Sequence, residues 1–350
     1  MRGIVFNGHR QLDVVHFDDP TPGYGEAVIE MKASGMCGSD LHFYRSDPAQ
    51  VLKEMGLSAD ASGPIIAGHE PCGVIAALGP GVDNRLFKVG DRVIVFHYVG
   101  CKHCDHCRTG WEQMCDMGSN VRGFMGHGGH AHYMQIPVTN LVHLPEPMSF
   151  VGGAAVACGS GTAYNALVRL NASARDTLAV FGLGPVGLSA VQFAAAMGLE
   201  VIGVDINAQR VAAAVQFGAA HAIDASQCDP VEEIRMLTHG KGVSLAIDAA
   251  GGEVPRQQAV RSTAQWGQIA LVAVGGNLSV DAMRDLIGKQ RTVFGSWTFS
   301  NVGMKACAGF IADHNLDVDR IFTHRWQLDQ ASEAYRSFDE QTSGKGVFIF

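Results

Sequence analysis

A chain of 350 residues, 47% hydrophobic and 17% charged, is long enough for two domains that each bury a full core. Its 26 basic and 34 acidic residues give a net charge of -8 without long blocks of one sign, which argues against a nucleic-acid partner. The opening MRGIVFNGHRQLDVV lacks the apolar stretch of an export signal, and no later apolar run approaches the length of a membrane span, so the expected location is cytoplasmic.

In chain order, residues 1–155 read as a β-rich domain. Strand-like pieces such as AVIEMKAS and DRVIVFHYV alternate with Gly- and Pro-containing turns, PTPGYG and LGPGVD among them. Two short stretches inside it carry metal-ligating residue types: CGSDLH, opening at Cys37, and GHEPCG, with His69 and Glu70. Further on, within about 97–118, Cys101, Cys104, Cys107 and Cys115 follow C-x2-C-x2-C-x7-C. An odd total of nine cysteines without an export signal points to metal binding over disulfides. Spacings this short fold around one tetrahedral ion, and four thiolates on Zn²⁺ leave no position open for substrate, so this zinc is expected to be structural. His103 or His106 replacing a thiolate, or an iron–sulfur cluster, are the alternatives.

Cys158 stands in ACGSGTAYNAL. Together with Cys37 and His69 it would balance the charge of Zn²⁺, leave a fourth position open and keep the ion electrophilic. Taken singly, each is explained as well by a buried thiol or a satisfied histidine. Cys72, Cys228 and Cys307 are expected to be buried free thiols.

From Thr177 the texture changes to apolar strands alternating with Ala-rich helices, with Gly198 and Gly218 at helix C-caps. Six strands separated by helical segments predict a doubly wound parallel sheet over 156–296. GLGPVG, with Gly182, Leu183, Gly184, Pro185, Val186 and Gly187, sits between the strand TLAVF and an apolar helix, the context in which such glycines let backbone approach a pyrophosphate at a helix start. Asp205, ending the next strand, is placed to accept from ribose hydroxyls and to repel the extra phosphate of NADP, unless it merely caps a helix; Arg210 weakens that exclusion. Val274, at the end of QIALVAVGG, is counted with the cofactor residues. The expected cofactor is NAD. Residues 297–350, a helical stretch and the strand GVFIF, are expected to return to the first domain.

GHEPCGVIAALGPGV, the four-cysteine stretch and GLGPVG, in that order, resemble the zinc-dependent medium-chain alcohol dehydrogenases over essentially the full length. The resemblance implies a GroES-like catalytic domain with a structural zinc lobe, a Rossmann domain, and an active site in the cleft between them. It implies two zinc ions per chain, with Cys37, His69 and Cys158 as catalytic ligands and Glu70 as an outer or transient one. Ser39 and His42 match the family's proton relay, and Asp40 is expected to brace that turn or orient His69. CGSDLH, with Gly38 where many relatives carry a cation, looks like the polyol and threonine dehydrogenase branch, whereas Cys158 looks like the simple-alcohol branch. Phe43, Phe96, His97, Trp297 and Phe299 are candidate pocket residues, and residues 45–64 a candidate wall of the substrate entrance. HGGHAHY, at His127, is assigned no metal.

The function expected is reversible hydride transfer between NAD and a small alcohol or ketone, a secondary alcohol or polyol first. The alternatives are a primary alcohol or L-threonine, a zinc-independent enone reductase of the same superfamily, and an NAD(H)-binding sensor without turnover. A homo-oligomer, dimer or tetramer, follows from the resemblance alone.

Overall fold

Ala27, Ile29, Met31 and Ala33 alternate along Glu26–Gly35, and this period of two makes it the centre of a seven-stranded sheet in the computed structural model, which describes residues 1–56, 63–340 and 344–350. Glu70–Leu78 pairs antiparallel with one side of that strand, continuing to Arg92–Val95 and Leu141–His143. Its other side is shared by Tyr133–Pro137 and, near Gly35, by Lys345–Ile349, which in turn pairs with Phe322–Trp326. Ile29, Ile75, Val93, Met134 and Ile136 form the core of this sheet.

The chain forms two compact units, Met1–Cys158 with Phe299–Phe350, and Gly159–Thr298. Cys158, which a boundary at 155 assigns to the nucleotide part, closes the first unit, because its thiol meets Cys37 there. DRVIVFHYV, expected as one strand, is two: Arg92–Val95 stays in the large sheet, while Tyr98–Val99 pairs with Asn120–Val121. Residues 1–155, expected to be β-rich, end in the helix Phe150–Val156, and the helix Gly159–Arg169 follows.

In the second unit six parallel strands form the other large sheet: β1 (Thr177–Phe181), β2 (Glu200–Asp205), β3 (His221–Asp224), β4 (Val243–Asp248), β5 (Thr263–Leu271) and β6 (Thr292–Gly295). Their order, β3-β2-β1-β4-β5-β6, reverses direction beside β1, the doubly wound arrangement whose switch point receives ligands at the strand C-termini. Gly198 and Gly218 follow helix ends with φ of +87° and +106°, as the C-cap reading requires. Among the described residues no helix is long and apolar enough to cross a membrane.

Candidate active site

Four donors converge within the first unit. Cys37 lies between the strand Glu26–Gly35 and the short helix Asp40–Arg45, His69 and Glu70 stand where Glu70–Leu78 begins, and Cys158 follows Phe150–Val156. Their ligand atoms all lie within 4.8 Å of one another. Cys37 Sγ and Cys158 Sγ are 3.9 Å apart, and two sulfurs each about 2.3 Å from one tetrahedral ion stand roughly 3.8 Å apart. Glu70 Oε2 is buried without a hydrogen-bond partner. An orphaned carboxylate oxygen among thiols and an imidazole is what a cation satisfies, so these residues fit zinc.

The surroundings orient each donor. Asp40 Oδ2 accepts the Cys37 N–H at 2.8 Å, and Oδ1 lies 2.9 Å from His69 Nδ1. A carboxylate only accepts, so Nδ1 carries a proton and Nε2 is the atom left for a metal. Ser39 Oγ lies 3.3 Å from both that Nε2 and Cys37 Sγ. Burial pushes His69 down, yet the charges of Asp40 and Cys37 more than offset it, so a metal held at Nε2 would compete with a proton there. The hydrogen bond with Cys158 and the neighbouring His69 hold Cys37 well below the usual thiol range despite burial. Burial pushes Glu70 up, opposed by the charge of Lys345, whose Nζ donates to Oε1 at 2.5 Å. Gly35 leaves room for that carboxylate, since a Cβ there would stand 2.0 Å from Oε2. His97, also buried, has its ring centroid 5.1 Å from that of His69, and its Nδ1 has no partner.

The second cluster, Cys101, Cys104, Cys107 and Cys115, likewise has its sulfurs within 4.8 Å, and Cys101 Sγ is 3.9 Å from Cys107 Sγ. Backbone N–H groups of Cys104 and His103, each 3.4 Å from Cys101 Sγ, lower that thiol to about 6. His103 and His106 stand outside this group. These are the two convergent metal-ligating groups among the described residues.

In the second unit β1 ends at Phe181 and the helix Pro185–Ala196 begins at Pro185. Gly182 has φ +90°, and a Cβ there would meet Ala250 N at 2.5 Å; one on Gly187 would stand 1.8 Å from Gly182 O. Beside Gly184 the corresponding space is open, with nothing within 4 Å. Pro185 needs no N–H at the first helical position, and the N–H groups of Val186 and Gly187 have no intrahelical partner, so the turn fits a pyrophosphate. Leu183 is buried and its N–H donates to Asp205 Oδ2 at 2.7 Å, while Oδ1 accepts from Asn207 N–H at 2.9 Å. The following helix is capped by the Asn207 side chain, which removes the reading of Asp205 as its cap. Arg210 Nη1 lies 4.0 Å from Asp205 Oδ2.

Residues 23–146 match the family model of the alcohol dehydrogenase GroES-like domain, and residues 185–312 that of zinc-binding dehydrogenase. The chain is 37% identical over 357 residues to the uncharacterized zinc-type alcohol dehydrogenase-like protein YphC of Escherichia coli K12, covering 100% of this chain and 99% of that one. The chain belongs to the zinc-dependent medium-chain alcohol dehydrogenases. It is 30% identical to the sorbitol dehydrogenase of Bacillus subtilis, with 95% and 92% covered. An alcohol dehydrogenase (rspB) from E. coli CFT073, solved with cofactor NADH, superposes with a TM-score of 0.87 at 27% identity, covering 100% and 99%. This alcohol dehydrogenase is thus an oxidoreductase that uses zinc and NAD and acts on a small-molecule alcohol.

The structure brings Ser39 against the Cys37–His69 donor group but leaves His42 exposed on its helix. Val274 is 78% exposed beyond β5. Phe43 is buried and stacks on Phe124 at 4.2 Å; Phe96 and Phe299 are fully buried, 6.0 Å apart, and belong to the core; Trp297 is half exposed. Residues 57–62 of the candidate entrance wall lie outside the described residues. Cys72 and Cys307 are buried, but Cys228 is exposed, because it sits on the turn after β3 with its thiol on the carbonyl of Asp224. Sequence reasoning missed Lys345 and Phe124, which faces His69 at 4.8 Å; neither carries a local signal.

Proposed function

We propose that Cys37, His69 and Cys158 hold the catalytic zinc with Glu70 beside it, that the four-cysteine lobe holds the structural zinc, and that the substrate is a secondary alcohol or polyol. The likeness to a sorbitol dehydrogenase carries the substrate reading.

Bound zinc supplies a Lewis acid that eases deprotonation of the alcohol, and NAD supplies the hydride acceptor. The chain's own part is orientation and proton handling. Asp40 keeps the proton of His69 on Nδ1, and Ser39 Oγ stands at the cluster to take the substrate's hydrogen bond. His42, exposed to solvent, is the exit for that proton. Lys345 neutralises Glu70, so two thiolates alone face the cation. Gly182, Gly184 and Gly187 open the turn to the pyrophosphate, with Val186 and Gly187 donating and Leu183 anchoring the turn to Asp205. Asp205 favours NAD, Arg210 tempers that preference, and Val274 is counted with the cofactor residues. The protein works in the cytoplasm as a homo-oligomer, dimer or tetramer; a monomeric mass by light scattering would contradict this.

NADH formation is measured with sugar alcohols, vicinal diols, L-threonine and simple alcohols, with NADP⁺ in parallel. Polyols or diols should lead, with kcat/KM about tenfold or more above simple alcohols. Preference of the parent enzyme for simple primary alcohols would overturn the substrate reading. Cys37→Ala should lose one of the two zinc ions and all turnover; retention of both would overturn the ligand assignment.

A further inference from the structure

A buried hydrogen-bond chain runs from Asp40 away from the metal cluster. Tyr335 OH donates to Asp40 Oδ2 at 3.3 Å, His130 Nε2 lies 2.8 Å from Tyr335 OH, and Ser34 Oγ lies 2.7 Å from His130 Nδ1. All four residues are 0% exposed, so water cannot replace a missing partner.

The direction of the chain follows from its acceptor end. Asp40 accepts, so the Tyr335 hydroxyl spends its proton there and must accept from His130. Nε2 of His130 therefore bears hydrogen, Nδ1 is bare, and Ser34 donates to it. This requires a neutral imidazole, and burial, the largest influence on His130, holds it at about 4. Every donor thus points towards one carboxylate, whose other oxygen holds Nδ1–H of His69. Packing fixes the intermediates: Tyr335 meets the ring of Phe6 edge-on at 4.9 Å, and His130 that of Phe348 at 4.8 Å. Gly68, beside His69, is where a Cβ would stand 2.3 Å from His130 Nδ1, so glycine lets the imidazole lie against the segment that carries the ligand.

We propose that His130 and Tyr335 are positioning residues for the catalytic zinc, fixing through Asp40 the tautomer and aim of His69 and so the residence time of the ion. This rests on His69 being a ligand, as proposed above. The outermost partners of a metal-bound histidine set its basicity and ring orientation, and here that control extends two residues further.

Zinc release from the fully loaded protein into a colorimetric chelator is followed for the parent, Tyr335→Phe, His130→Phe and the double variant, with the lobe zinc as internal reference and thermal melting as the check on folding. Tyr335→Phe should release one zinc about tenfold faster and the lobe zinc at the parental rate. The double variant should be no faster than Tyr335→Phe, because a chain cut at Tyr335 has nothing further to lose. Cobalt exchanged into the catalytic position should show a shifted visible band in Tyr335→Phe.

Parental release from folded Tyr335→Phe would overturn the proposal. So would equal acceleration of both zinc ions, which marks general loosening, or additive effects in the double variant. His69→Ala separates the underlying assignment: retention of both zinc ions removes His69 from the ligand set, whereas loss of one, with Tyr335→Phe at the parental rate, refutes the chain alone. If Tyr335→Phe does not fold, His130→Phe carries the same test, with faster release of one zinc supporting the proposal and parental release refuting it.

Discussion

Lys345 and Glu70 form an ion pair whose side chains are 3% and 0% exposed. Removing one member of such a pair strands the other in a low-dielectric site, so Lys345→Met should destabilise the zinc-loaded protein by on the order of 3 kcal/mol in urea unfolding, with partial recovery on adding Glu70→Gln. His130 supplies the acid-side counterpart. Burial holds it at about 4 against an ordinary 6.5, so between those values the unfolded chain binds a proton that the folded chain does not. Its share of stability is therefore intact above pH 6.5 and falls as the pH drops towards 4, by roughly 3 kcal/mol in all. Urea midpoints at pH 7 and pH 5 should differ less in His130→Phe than in the parent. Cys37, His69 and Glu70 were legible as metal-ligating types because their motifs are short. Lys345 and Tyr335 were not, because they reach Glu70 and Asp40 across 275 and 295 residues of sequence.

The glycine turn after β1 separates two roles that a motif merges. A Cβ on Gly187 collides with Gly182 O at 1.8 Å, whereas one on Gly184 meets nothing within 4 Å. Gly187→Ala should therefore lower the melting midpoint, and Gly184→Ala should melt with the parent yet bind NADH about tenfold more weakly in a fluorescence titration, because its methyl enters the space offered to the pyrophosphate. Elements defined by apolar runs, such as the strands of the parallel sheet, could be read directly. The helix Phe150–Val156 could not, since Gly152 and Gly153 carry the poorest propensity after proline. Packing explains the glycine: a Cβ on Gly153 would stand 2.3 Å from Cys72 Sγ, so only a bare backbone lets this helix settle on Glu70–Leu78 and deliver Cys158. His97 broke the expected long strand in a similar way, its backbone carbonyl accepting from Arg122 while its ring turns to His69.

At the scale of the molecule the proposed assignment gives stability to the four-cysteine lobe and chemistry to the Cys37 cluster. Cys104→Ala removes one of four thiols from a site with no open position, and should lower the melting midpoint by roughly 5 °C or more while turnover per catalytic zinc in the folded fraction stays within about twofold of the parent. Differential scanning calorimetry with parallel assays checks both. The change of texture at Thr177 falls inside the second unit, and the close of the first unit at Cys158 carries no such signal. That first unit is discontinuous: Gly159–Thr298 interrupts it, and Phe299–Phe350 completes it. All four donors of the Cys37 cluster precede residue 299, whereas the lysine that pairs with Glu70 and the tyrosine that bonds Asp40 follow it. A chain ending before residue 299 would therefore hold the thiols and imidazole of that cluster without the two late side chains that bond its carboxylates.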